Sequence, residues 1–132
     1  MSQGKVPLGN QGAFGRRLAS FRHAFDGAGT LLRTQPNARF HLVAALLVIV
    51  LGWALNVMAW EWAMLALAIG TVWTAEAMNT ALEFLSDELS LEWREKIKHA
   101  KDVAAFGVLA ASVAAMVTGG VIFGPRLIAL IL

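Results

Sequence analysis

The chain has 132 residues, 58% of them hydrophobic and only 15% charged, and its mean hydropathy of +0.61 describes more apolar surface than a soluble domain of this size can bury. A composition of this kind belongs in lipid. It has no cysteine, which excludes disulfides, thiolate metal sites and a cysteine nucleophile, and its net charge of +2, carried by basic residues beside apolar segments, argues against nucleic acid as a partner.

The polar, glycine-rich stretch Met1 to Ala13 lacks the apolar run and small-residue cleavage site of a signal peptide, and residues 1–15 are expected to form a disordered leader. From Arg16 to Thr34 the residues Leu18, Phe21, Phe25, Ala28 and Leu32 recur every three or four positions, with Arg16, Arg17, Arg22 and Arg33 off that stripe. This pattern predicts an amphipathic helix in the membrane interface, weakened or bent at Gly27 and Gly29. Pro36 disfavours helix at Gln35 and opens a new helix near Asn37.

Three membrane spans follow, at about residues 40–58, 62–85 and 103–123, each matching a hydrocarbon core of about 30 Å. The sequence Ala59-Trp60-Glu61-Trp62 reads as a short turn whose tryptophans suit the headgroup level, and Gly124-Pro125-Arg126 as the end of the third span before an apolar tail. Ser86 to Lys101 is strongly charged and belongs outside the hydrocarbon. Six basic residues precede the first span, none lies in the first loop and four lie in the second. The positive-inside rule therefore puts the N-terminus and second loop in the cytoplasm, with Arg126 the one basic residue that opposes this orientation. The fold class expected is an all-α membrane protein: three transmembrane helices plus an N-terminal interfacial helix. Gly107, Ala110, Ala111 and Ala114 allow close helix packing and favour an oligomer.

The second span is the informative one. It carries Glu76, Asn79 and Glu83 and ends at Asp87. A carboxylate at depth costs about 2.5 to 3.5 kcal/mol even on lenient insertion scales, so such residues mark function. At about 100° per residue, Asn79, Glu83 and Asp87 fall near −60°, −20° and +20° from Glu76, one narrow face running about 16 Å inward from the cytoplasmic boundary. Lys101-Asp102, at the start of the third span, lies at the same membrane face. Carboxylates for a metal, a cation for phosphate and a deeper carboxylate as base are parts that phosphoryl transfer needs. The chain has no Walker A pattern and no complete GxGxxG. Buried carboxylates also serve proton relays, so a small transporter or proton conductor using Glu76 and Glu83 is the alternative. His41 and His99 read as surface or interface residues, and the five tryptophans as packing residues or headgroup anchors. The stretch Glu88 to Lys98 reads as a solvated connector in which Glu92 to Arg94 can reach an adenosine.

The run Glu76-Ala77-Met78-Asn79-Thr80-Ala81-Leu82-Glu83, then Asp87, then Ala100-Lys101-Asp102-Val103-Ala104-Ala105 resembles the signature of the prokaryotic diacylglycerol kinase and undecaprenol kinase family. Asn37-Ala38-Arg39-Phe40-His41 is similar to a segment before that family's first span, and the likeness extends from about Arg16 to Phe123. The resemblance implies an ATP- and Mg²⁺-dependent lipid kinase, phosphorylating diacylglycerol or undecaprenol, in one domain over residues 16–132. It implies Glu76 as the general base for the lipid hydroxyl and Asn79 as an aligning residue. It implies further that Glu83 holds Mg²⁺ on the ATP phosphates, that Lys101 contacts those phosphates and that Asp102 orients Lys101 or the nucleotide. Arg16, His23 and Asp87 fall among the nucleotide-binding residues, with His23 replacing a tyrosine as a flat ring. A homotrimer in the bacterial inner membrane, with sites completed between subunits, is implied as well. One position departs: Gln35 stands where the family has a second acidic metal ligand, and its amide oxygen can approach a hard cation without supplying charge.

Overall fold

The structure, a computed structural model, describes residues 13–89 and 92–132; most of the expected leader lies outside the described residues. The described residues form four helices, α1 (Ala13–Thr34), α2 (Pro36–Ala54), α3 (Ala59–Leu89) and α4 (Glu95–Ile131). They divide into two compact units, one ending at Thr34 and the other spanning Gln35–Leu132.

In the first unit α1 begins at Ala13, ahead of Arg16, and runs through Gly27 and Gly29 to Thr34. Phe14, Leu18, Phe21 and Phe25 are all exposed along it. It ends where the sequence places the break. Gln35 takes an extended conformation, φ −109° and ψ 111°, because the ring of Pro36 crowds an α-helical residue before it. Pro36 then opens α2 at a position where its missing N–H has no helical partner to lose.

In the second unit α2 stops at Ala54, short of Met58, and the turn lies at residues 55–58 rather than at 59–62. Two local features set this. Asn56 adopts a positive φ of 49°, a conformation asparagine tolerates better than most residues. Glu61, three residues into the next helix start, turns its Oε2 back to accept the Met58 N–H at 2.7 Å. That is the reciprocal half of a capping box, and it makes Ala59 to Trp62 the first turn of α3.

α3 and α4 pack most extensively against each other, with α2 against both. The small buried core of Val57, Leu65, Ile122 and Phe123 lies where the α2–α3 turn meets the far end of α4. Elsewhere the helices present large apolar side chains outward, among them Leu47, Val50, Leu67, Phe106, Val117 and Ile128. An exposed apolar surface on this scale is suited to lipid rather than water. By length and composition α2 and α4, with mean hydropathies of 1.7 and 2.1, are apolar enough to cross a bilayer.

The helix that carries the third expected span does not stop at Gly124-Pro125-Arg126; α4 continues through Pro125 to Ile131. A proline removes one backbone bond, and an apolar environment penalises every further bond lost by unwinding. At about 1.5 Å per residue, α3 and α4 are about 46 and 55 Å long, well beyond the hydrocarbon core.

Candidate functional site

The polar stripe of α3 is built as its spacing requires. Glu76 is 1% exposed and Asn79 7%; Glu83 is half-buried and Asp87 exposed. The stripe thus passes from the packed interior to the open end of the helix pair. Asn79 Nδ2 donates to Glu83 Oε1 at 3.0 Å, a contact one helical turn makes available. Gln35 Nε2 donates to the other oxygen, Glu83 Oε2, at 3.2 Å. The extended residue before Pro36 thus reaches α3, and the two side chains expected at a metal stand together.

At the open end, Lys101 Nζ donates to Asp87 Oδ1 at 2.6 Å, tying α4 to α3. Asp102 pairs with Lys98 instead, one turn away on its own helix. Orientation of Lys101 therefore falls to Asp87, not to Asp102. A cavity of about 510 Å³ opens here, lined by Asp87, Trp93, Arg94, Lys98, Lys101 and Asp102. Cations, carboxylates and an indole face offer phosphate and ring contacts in one place. Arg16 and His23 lie on α1 in the first unit, where both are exposed.

A second cavity, about 260 Å³, lies among α2, α3 and α4 and is almost wholly apolar, with Phe40, Val48, Val72, Trp73 and Met116 in its walls. Val72 and Trp73 sit one turn before Glu76 on α3. His41 lines the same cavity. His41, expected at a surface or an interface, is half-buried here.

Three buried polar side-chain atoms among the described residues have no hydrogen-bond partner: Glu76 Oε2, Asn79 Oδ1 and Thr80 Oγ1. All three fall within five consecutive residues of α3. Unsatisfied buried groups are expensive, so their clustering marks a place that a ligand completes. Thr80 was not among the sequence-derived candidates, although its position four residues after Glu76 puts it on the same face.

No group of three or more His, Asp or Glu side chains able to hold a metal occurs among the described residues. A hard cation that arrives with phosphate and water ligands needs only one or two protein oxygens. Glu83 offers such an oxygen, Gln35 presents its amide nitrogen to it, and the unpartnered Asn79 Oδ1 lies one turn away.

Comparison with known proteins agrees with these features. The family model for prokaryotic diacylglycerol kinase matches residues 22–123. The chain is 35% identical to the undecaprenol kinase of Bacillus subtilis over 112 residues, covering 85% of this chain and 91% of that protein. It is 39% identical to a diacylglycerol kinase of Synechocystis over 114 residues, covering 86% of this chain and 65% of that protein. With the stripe, the lysine on α4 and the match over most of its length, the chain belongs to the prokaryotic diacylglycerol kinase family of membrane lipid kinases.

Proposed function

We propose that this protein uses ATP and Mg²⁺ to phosphorylate the hydroxyl of a membrane lipid, diacylglycerol or undecaprenol, at the cytoplasmic face of a bacterial inner membrane. The observation that carries this reading is the buried Glu76 carboxylate with an unpartnered Oε2, on the same face of α3 as the Asn79–Glu83 hydrogen bond and the Asp87–Lys101 pair. In the reaction the lipid oxygen attacks the γ-phosphorus and the bond from that phosphorus to the β,γ-bridging oxygen breaks, releasing ADP. The alcohol proton passes to Glu76 Oε2. Asn79 holds Glu83 in register with Glu76, and Lys101, aligned by Asp87, neutralises phosphate charge.

Glu83 and Gln35 would hold Mg²⁺, which supplies charge neutralisation at the β- and γ-phosphates when bound. The cavity beside Lys101 takes the nucleotide, with Trp93 against the base and Asp102 in its wall; on the family likeness Arg16 and His23 are further nucleotide-binding residues. The apolar cavity beside His41 takes the lipid chain next to its hydroxyl. Three spans, α2, α3 and α4, with the N-terminus in the cytoplasm, put Lys101 and Asp87 on the ATP side. A homotrimer is proposed on the family likeness and the small residues of α4.

A transporter or proton conductor is less well supported. Outward from Glu76 the same face of α3 carries buried Val72 and Leu65, and the next carboxylate, Glu61, is held by Arg126.

The test incubates purified protein with labelled ATP, Mg²⁺ and each lipid alcohol in turn. Labelled lipid phosphate is expected from wild type and none from Glu76→Gln, with the oligomer unchanged. Near-normal turnover by Glu76→Gln removes it from the base role, and no transfer to any lipid alcohol by wild type sinks the kinase reading.

A further inference from the structure

Thr80 behaves unlike every other threonine of the chain. Thr30, Thr34, Thr71, Thr74 and Thr118 each donate their hydroxyl to the carbonyl four residues earlier, at 2.7–3.0 Å. That back-bond is the default for a threonine inside a helix, since the acceptor is always within reach. Thr80 does not make it, although at 4% exposure it is buried where the bond would count most. Between Lys101 and Ser112 the half-buried positions of α4 are Ala104, Val108 and Ala111, none with a side-chain polar atom.

The unpaired hydroxyl also has a telling place. Along the helix axis it lies about 6 Å from Glu76 and about 4.5 Å from Glu83, between the group that takes the alcohol proton and the group that faces the phosphates. Asn79 gives one amide hydrogen to Glu83, and its Oδ1 is an unpartnered acceptor. A hydroxyl is both donor and acceptor, and of the three unpartnered atoms Thr80 Oγ1 alone carries a hydrogen when Glu76 is ionised.

We infer that Thr80 is a further catalytic residue, whose hydroxyl donates to an oxygen of the γ-phosphoryl group as it passes from ADP to the lipid. The inference rests on the lipid-kinase reading and deepens it. The bond is made to an oxygen whose surroundings change during transfer, so its loss falls on turnover rather than on substrate binding. In the unliganded fold the hydroxyl bonds nothing, so removing it leaves the fold no weaker.

The experiment compares full-length wild type, Thr80→Val and Thr80→Ser, each purified in detergent and assayed in lipid with ATP and Mg²⁺. Thr80→Val keeps the shape and is expected to lose about a hundredfold in kcat with the KM for lipid unchanged. Its unfolding temperature without ligands stays at or above that of wild type, and its oligomer is unchanged by size-exclusion chromatography. Thr80→Ser recovers most of the lost kcat. Full turnover by Thr80→Val overturns the inference. So does a loss confined to the KM for lipid, which assigns the hydroxyl to the alcohol, or a lower unfolding temperature or dissociation, which assigns it to packing. A wild type that phosphorylates no lipid alcohol fails the kinase reading and this inference together, whereas an active wild type with an equally active valine variant fails only the second.

Discussion

Glu61 and Arg126, 65 residues apart, form a two-pronged ion pair in which Nη1 donates to Oε1 at 2.9 Å and Nη2 to Oε2 at 2.7 Å. The carboxylate is 4% exposed and also caps α3 through the Met58 N–H. Arg126 bonds the Ile122 carbonyl as well, at 2.7 Å. One pair thus fastens the turn after α2, the start of α3 and the stretch of α4 beyond Pro125. It also accounts for Arg126 standing against the charge rule, because its charge is already matched.

Removing only one partner leaves a buried charge without compensation, which is worse than losing both. Arg126→Ala is expected to lower the unfolding temperature in detergent by several degrees, and Glu61→Gln with Arg126→Ala to recover part of the loss. Equal unfolding temperatures for wild type and Arg126→Ala would show that the pair contributes nothing.

The same pair sets an acid limit. The guanidinium of Arg126, and after it the Met58 N–H, hold the Glu61 carboxyl below its ordinary value of 4.5. A carboxyl depressed by folding stabilises the fold above its unfolded value, and the contribution is lost as pH falls through the folded one. Wild type therefore has this contribution in full above pH 4.5 and loses it progressively as the pH falls below that value. Arg126→Gln is expected to undergo its acid transition at higher pH, followed by tryptophan fluorescence; an unchanged midpoint refutes the linkage.

Gly52 allows α2 to approach α3 at the indole of Trp62. A Cβ there would lie 2.5 Å from Cη2 and 2.7 Å from Cζ2 of that ring, which already packs against Trp53 with centroids 5.7 Å apart. Gly52→Ala is expected to cost about 1–3 kcal/mol by overpacking, read as a lower unfolding temperature. Trp62→Leu in the same chain should restore stability; if it does not, the clash is not the cause.

The helices and the polar face of α3 were legible because both depend on local spacing. Polar residues at 76, 79, 83 and 87 must share a side of any helix, and Pro36 must leave Gln35 extended. What escaped the sequence was set by partners distant along the chain. Residues 59–62 look like a turn until Glu61 is seen to cap Met58, and Pro125 looks terminal until Arg126 is seen to hold Glu61. The choice of Asp87 over Asp102 as partner of Lys101 was hidden for the same reason, since adjacent residues on α4 point to different neighbours. Thr80 differs: its position on the stripe was readable, but only coordinates reveal that its hydroxyl declines the usual backbone bond.

Lys101 and Asp87 are partly exposed, at 37% and 63% of their side chains. A pair that open to solvent stabilises by no more than about 0.2–1 kcal/mol, so its value lies in aiming the lysine. Asp87→Asn is expected to leave unfolding unchanged while raising the KM for ATP, and Lys101→Met to lower kcat about a hundredfold. Lys101→Met with wild-type kinetics would place the phosphates elsewhere.

Gln35 and Glu83 give the most direct test of the metal proposal. Glu83 receives an amide on each oxygen, and a cation held there would require Gln35 to turn its own oxygen inward. Gln35→Glu supplies a second negative charge at that place, which hard divalent ions favour, and is expected to keep activity and lower the Mg²⁺ concentration for half-maximal rate. Glu83→Ala should raise that concentration or abolish turnover. Binding of Mn²⁺, followed by its paramagnetic relaxation without any turnover, should strengthen in the first variant and weaken in the second. If Gln35→Glu is inactive and binds Mn²⁺ no better, the two residues do not share a cation, and their hydrogen bond at 3.2 Å serves only to fix the start of α2 against α3.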